Sequence, residues 1–159
     1  MSQASSGISK RSSLPSDVKT LKSLVYFYDS FLKLALRGVE SVVGEKGARA
    51  ILKSAAREYG VEVCRRLVGM KRNADLLWVL DMVLKRAGTE PELRKGEREV
   101  LVELHKCPFL RPSEEPLLCT ITEGLLEGLG YEFNVERVES QGTMAQGAKS
   151  CVFKLVLSR

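Results

Sequence analysis

Histidine and long apolar runs are nearly absent from this sequence of 159 residues. No apolar run reaches the roughly 18–20 residues that a membrane-spanning helix needs. The first 14 residues also lack the apolar segment of a secretory signal. We therefore expect a cytoplasmic protein with no membrane span.

The signatures of nucleotide binding and hydrolysis are missing as well. The sequence contains no phosphate-binding P-loop, no glycine-rich dinucleotide loop after a strand, no nucleophile elbow and no HExxH. His105, the single histidine, excludes a metal site with two histidines in one chain. It could pair with Cys107 only across roughly 7 Å of strand, too far for a nucleophile and its base. These absences favour a binding protein over an enzyme.

The net charge of +5 does not indicate a nucleic-acid surface. Basic residues occur as scattered pairs, such as Arg65–Arg66 and Lys85–Arg86, with acidic residues between them. This pattern is typical of solvated helix faces. Nucleic acid is therefore a disfavoured partner.

Four cysteines remain, and the expected reducing compartment argues against a disulfide framework. No C-x-x-C pair occurs. Cys107, Cys119 and Cys151 are predicted at a strand end, in a helix and at a strand start. They could converge on a metal such as zinc, with Glu139 or His105 as a fourth ligand. Free cysteine is also commonly a buried small apolar residue, so the two interpretations stay open.

Residues 1–14 carry Lys10 and Arg11 among many serines and predict a mobile basic tail before one domain spanning 15–159. The first predicted helix carries two adjacent apolar stripes. One stripe consists of Val18, Leu21, Val25, Tyr28 and Leu32, and the other of Leu24, Phe27, Phe31 and Leu34. A helix that is apolar on more than one side must be covered twice. A second helix, an apolar ligand or a twin subunit could do this, and we expect a homodimer.

Aromatic residues on the predicted helices and on one strand are candidates for an apolar ligand pocket. They are Tyr26, Tyr28, Phe31, Trp78 and Phe133. Aromatic residues at helical spacing more often form an ordinary core, so this alternative stays open.

The order of elements indicates the fold class. A break at Gly44–Gly47 and an end or kink at Tyr59–Gly60 bound the second helix, and Asn73 is the expected N-cap of the third. The remaining predicted elements are a hairpin (Glu92–Arg94 and Glu97–Cys107), a helix (117–129) and two strands (Tyr131–Glu139 and Cys151–Leu157). On that helix, Gly124 and Gly128 would let another element approach closely. Clustered helices followed by sequential strands predict an α+β fold, with a helical layer on a four-stranded antiparallel sheet.

The last third of the chain resembles the C-terminal signature of vinyl-4-reductase domain proteins. The matching residues are Cys119-x-x-x-x-Gly124-Leu-Leu-Glu-Gly128, Glu136 after the next strand begins, and Gly147-x-x-x-Cys151-x-Phe153. The resemblance implies an α+β fold shared with TRAPP-type tethering subunits, dimers, an apolar ligand pocket and cysteines that hold a metal. Cys119 and Cys151 match two family cysteines. The family has a further cysteine soon after the glutamate, where this chain has Glu139.

Together these observations predict a homodimeric sensory domain that binds an apolar or tetrapyrrole-like small molecule and regulates a protein partner. Two alternatives remain. One is an accessory enzyme of tetrapyrrole-type metabolism, and the other is a TRAPP-like interaction scaffold.

Overall fold

In the computed structural model of this protein, the backbone is described for residues 14–158 and the side chains from Asp17 onward. The predicted basic tail of residues 1–14 lies outside the described residues, apart from Leu14. The helices are α1 (Leu14–Met70), α2 (Leu76–Arg86) and α3 (Leu118–Leu129). The strands are β1 (Pro91–Lys95), β2 (Glu99–Leu104), β3 (Val135–Gly142) and β4 (Cys151–Leu157).

Helix α1 consists of two helices joined at Gly44. This residue has a φ of 73° and a ψ of 167°, a conformation that glycine adopts without a Cβ penalty. We refer to residues 14–43 as the N-terminal arm and to residues 45–70 as the C-terminal arm. The predicted break near Gly44 is confirmed. Long as α1 is, no helix among the described residues has the length and apolarity to cross a membrane.

The predicted end or kink at Tyr59–Gly60 is wrong, because the C-terminal arm continues through Gly60 and packs there against α3. A Cβ at Gly60 would lie 2.6 Å from the carbonyl oxygen of Leu125. A Cβ at Gly128 would lie 2.2 Å from the carbonyl oxygen of Arg57. The glycines therefore bring two helix backbones together, as predicted for Gly128.

Helix α2 begins two residues later than predicted. Asp75, not Asn73, is its N-cap, and the Asp75 carboxylate accepts the backbone N–H of Trp78 at 2.8 Å. Helix α2 ends at Arg86, and Gly88 follows with a φ of 73°, which is typical of a helix stop. Both candidates are good caps, so the sequence alone did not distinguish them.

The four strands form one antiparallel sheet in the order β1-β2-β4-β3, and the predicted hairpin is its β1–β2 edge. The inward face of β2 and β4 is buried against α2 and α3. The core residues from these elements are Val79, Leu80, Leu84, Val100, Val102, Leu104, Leu126, Leu129, Phe153 and Leu155. The predicted α+β class, a helical layer on a four-stranded antiparallel sheet, is confirmed.

The third strand differs from its prediction. Tyr131–Phe133 is a 3-10 turn, Asn134 follows in the left-handed region with a φ of 59°, and only then does β3 begin. Tyr131 is exposed and lies beneath the guanidinium groups of Arg57 and Arg65. It therefore does not point into the core. The strand therefore begins at Val135, and apolar alternation alone does not reveal this later start.

Candidate functional site

Three of the four cysteines lie near one another at one end of the sheet. Cys107 follows β2 in a loop, Cys119 is in the first turn of α3, and Cys151 opens β4. Burial raises the pKa of Cys107 above its ordinary value of 9.0, and the sulfur atoms of Cys151 and Cys119 raise it further. Burial also raises the pKa of Cys151, with a further contribution from Cys119. We call these three residues the thiol cluster.

Cys64 lies elsewhere, fully buried on the C-terminal arm within the hydrophobic core. Burial is the main cause that raises its pKa. It is thus a core cysteine and a natural control for the thiol cluster.

Glu139, predicted as a possible fourth ligand, lies on the opposite face of the sheet from Cys151. Successive residues of β4 alternate between the two faces of the sheet, so Cys151 points inward and Lys154 points outward. Glu139 pairs with Lys154 at 2.9 Å and with Arg137 at 2.7 Å on the outward face. Hydrogen bonds from these two cations lower the pKa of Glu139.

His105, the other fourth ligand considered, lies on the hairpin, with Nε2 3.4 Å from a carboxylate oxygen of Glu92. Glu92, Glu103 and His105 offer ligand atoms that all lie within 4.8 Å of one another, the only such group among the described residues. Side chains along a strand alternate between the two faces of the sheet, so Glu103 and His105 lie on one face. Glu92 is paired with Glu103 across the hairpin. The sequence could therefore have predicted this group. Arg94 bridges the two carboxylates at 2.8 and 3.5 Å, so the group is a surface ion-pair network with its cation already in place.

The donor atoms of the thiol cluster suit zinc, because zinc sites commonly use cysteine sulfur. In the described part of the chain, however, the three sulfur atoms do not form a group within 4.8 Å. Gathering them around one ion would require the three sulfur atoms to come closer together. Cys119 is the member that borders a polar cavity of about 210 Å³, which Arg49 and Glu123 also line.

The loop that carries Cys107 is fastened to the N-terminal arm by buried charges. The Asp29 carboxylate accepts the backbone N–H of Leu110 at 3.1 Å, and the Lys33 ammonium donates to the Leu110 carbonyl oxygen. Asp29 and Lys33 also pair at 2.9 Å, with each side chain only 7% exposed. We call Asp29, Lys33 and Leu110 the loop clamp. Sequence reasoning missed it, because the pairing spans about eighty residues and no local pattern marks it.

A second ion pair strengthens this attachment beyond the clamp. Arg37 contacts the buried carboxylate of Glu115 at 3.4 Å, and Glu115 lies four residues before Cys119. The N-terminal arm therefore holds the loop at Leu110 and again at Glu115. Removing one partner of a buried ion pair such as Asp29–Lys33 commonly costs about 3–5 kcal/mol, so the loop and the arm are expected to move together.

The five aromatic residues predicted to line a ligand pocket lie in different places. Tyr26, Tyr28 and Phe31 are exposed on the N-terminal arm. Trp78 lies on α2 beneath the Lys71 ammonium, 4.3 Å from the centre of its rings. Phe133 borders a cavity of about 210 Å³ between α2 and the sheet. Within one chain, these residues do not surround a common cavity in the part that the structure describes.

The N-terminal arm exposes a large apolar surface. Residues 17–28 are exposed on every side of the helix. The ring of Phe27 stacks on that of Phe31, with centroids 6.3 Å apart, and meets Tyr28 edge-on. The large exposed apolar residues of this arm before Gly44 are Val18, Leu21, Leu24, Val25, Tyr26, Phe27, Tyr28, Phe31, Leu34, Val42 and Val43. Contiguous apolar surface of this kind usually marks an interaction site.

Comparison with solved structures shows the fold. The phenol-responsive sensory domain of the transcription activator PoxR, crystallised with phenol, is similar at a TM-score of 0.64 and 10% identity, over 80% of this chain and 74% of that chain. The H-NOX domain of Shewanella oneidensis is similar at a TM-score of 0.53 and 15% identity, over 79% and 74% of the two chains.

A third solved structure is a trafficking protein particle complex subunit 3 from Naegleria fowleri, covalently bound to palmitic acid. It has a TM-score of 0.49 and 13% identity, over 86% of this chain and 93% of that chain. At this score a shared fold is not established, so the TRAPP relationship stays a prediction.

Sequence comparison gives the family. No curated protein matches the sequence. Residues 73–156, which hold α2, α3, the whole sheet and the thiol cluster, match the family described as methanogen output domain 1. Helix α1 lies outside this match. Because the matched segment covers more than half of the chain, the protein belongs to the methanogen output domain 1 family.

Proposed function

We propose that this chain is a homodimeric sensory domain in which the thiol cluster is a sensing site and the N-terminal arm carries the response. The observation that carries this proposal is the loop clamp. It joins the loop of Cys107 directly to the arm that exposes the apolar surface. Family membership supports an output role, because the matched family is described as an output domain.

The geometry suggests how the two parts would communicate. In this proposal, a ligand closes the thiol cluster by drawing Cys107, which lies in a loop, toward Cys119 and Cys151. Leu110, three residues after Cys107, is bound to Asp29 and Lys33 of the arm. A shift of the loop must therefore either move the arm or break buried charge pairs. Breaking a buried charge pair is costly, and this favours transmission to the apolar surface.

Similar folds support a small-molecule ligand. The PoxR domain is described as phenol-responsive, and the H-NOX structure as an Fe(II)CO ligation state. Only the fold is shared, so an apolar or tetrapyrrole-like ligand is part of the proposal, as is the link to vinyl-4-reductase domains. The alternative of an interaction scaffold is favoured by the exposed arm, which a protein partner could also cover.

Zinc is the candidate occupant of the thiol cluster, with Cys107, Cys119 and Cys151 as its three protein ligands and the fourth position open. Native mass spectrometry and metal analysis of the purified protein are expected to give about one zinc per chain. Cys119→Ala should remove the zinc. Cys64→Ala, which deletes a thiol outside the cluster, should keep it.

The raised pKa values of Cys107 and Cys151 predict the direction in which zinc affinity changes with pH. Both thiols are protonated at neutral pH, and zinc binding must release their protons. Affinity is therefore expected to rise with pH, about tenfold per pH unit for each proton released. Equal zinc content in the Cys119→Ala variant, or metal-free protein after zinc addition, would show that the cysteines are core residues and would favour the scaffold.

A further inference from the structure

An apolar cleft of about 520 Å³ lies between the C-terminal arm and α2. Val63, Leu67 and Met70 line it from the C-terminal arm, Met82 and Val83 line it from α2, and Leu125 of α3 completes the apolar lining. The volume falls within the range of roughly 300–1,000 Å³ that is usual for small-molecule sites. None of the thiol cluster lines it.

The inner wall of the cleft belongs to the core. Val63, Leu67, Val83 and Leu125 are partly buried and pack against the core residues beneath them. Their positions are therefore fixed by the fold, which gives a ligand a preformed apolar surface. Met70 is 82% exposed at the mouth and can adapt its flexible side chain to a bound molecule.

The rim of the cleft carries positive charge. Arg66 of the C-terminal arm and Arg86 of α2 both line it. Arg66 pairs with Glu62 on its own helix. Arg86 has no carboxylate partner among residues 17–158. One uncompensated guanidinium thus stands beside an apolar wall, and guanidinium groups bind carboxylates through two parallel hydrogen bonds.

From this combination we infer that the cleft binds an amphipathic carboxylate, with its apolar body against Leu67, Val83 and Leu125 and its carboxylate on Arg86. This inference rests on the proposed function, because it gives the sensory domain its small-molecule ligand. A neutral apolar molecule would use the same walls but would leave the guanidinium unpaired. The site therefore selects for an anionic head group.

Calorimetric titration with decanoate, kept below the concentration at which it forms micelles, tests the inference. Decanoate is expected to bind once per chain, and decanol about tenfold more weakly. Arg86→Gln should weaken decanoate binding about tenfold and leave decanol binding unchanged, since only the charged contact is lost. Lys85→Gln is the matched control. It removes the same charge from the neighbouring residue, which pairs with Asp81 outside the cleft, and should leave both affinities unchanged.

A second variant locates the binding. Met82→Glu places a carboxylate in the wall of the cleft and should abolish decanoate binding, with circular dichroism confirming that the fold is kept. The inference is wrong if the wild-type protein shows no saturable binding, if decanol binds as tightly as decanoate, or if Arg86→Gln or Met82→Glu binds decanoate as tightly as the wild type. Zinc content and dimer mass are measured on the same samples. Failure at the cleft with zinc and dimer retained would overturn this inference alone.

Discussion

Replacing Gly128 with alanine is expected to destabilise the protein by roughly 3 kcal/mol, the upper end for overpacking a core. The new Cβ would lie 2.2 Å from the carbonyl oxygen of Arg57 and 2.8 Å from the Cα of Gly60. Both are backbone atoms of the C-terminal arm, so no side-chain rotation can relieve the clash. The two helices would have to separate.

Separation of the helices would be costly because α3 also forms the core. Leu126 and Leu129 of α3 are fully buried against the sheet and α2. Moving α3 away from α1 would strain these contacts or open a void beneath them. For a domain of this size, the expected loss corresponds to a fall in Tm of roughly 6–12 °C.

Gly69→Ala is the matched control for this prediction. Gly69 also lies in α1, but a Cβ there would meet no atom within 4 Å. Alanine should therefore stabilise the helix by about 0.5–1 kcal/mol. Urea unfolding followed by circular dichroism would measure both effects. Equal stability of the two variants would mean that α1 and α3 do not pack as closely as described.

Local patterns predicted most of the fold. The predicted hairpin, Glu92–Arg94 and Glu97–Cys107, overlaps the β1–β2 pair, and the spacing of Gly124 and Gly128 indicated a close helix contact. These features depend on residues close together in the sequence. Gly60 was misinterpreted because a glycine that breaks a helix and one that admits a neighbouring backbone look the same in a sequence.

The candidate site was less predictable, since it depends on contacts distant in sequence. The convergence of Cys107, Cys119 and Cys151 could be proposed, but not the face on which Glu139 lies. That face depends on the pairing of Glu139 with Lys154 across β3 and β4. The loop clamp joins Asp29 to Leu110, and neither residue carries a motif. Such pairings require the fold before they can be recognised.

Phe31→Lys is expected to convert the protein from a dimer into a monomer. The proposed interface is the exposed arm, where Phe31 is 62% exposed and stacks on Phe27. Burying such a side chain contributes about 1.5–3 kcal/mol, and each dimer would bury two copies. Placing two ammonium groups there removes this gain and adds a desolvation cost, so the dissociation constant should rise at least about a hundredfold.

Light scattering during size-exclusion chromatography measures the change directly. The wild type should have twice the mass of the 17.7 kDa chain, and Phe31→Lys the mass of one chain. Ile51→Lys is the control, because Ile51 is a similarly exposed apolar residue, 51% exposed, on the C-terminal arm. It should stay dimeric. Loss of the dimer in both variants would show that the interface is not confined to the N-terminal arm.

A wild-type protein with the mass of one chain would contradict the dimer, and a different partner would have to cover the arm. A dimer that persists in Phe31→Lys would instead remove the arm from the interface. The loop clamp would then connect the thiol cluster to a surface outside the dimer interface. The clamp connects the thiol cluster only to the N-terminal arm, through Asp29 and Lys33. The sensory proposal therefore depends on what that arm binds, and the Phe31→Lys variant is its most direct test.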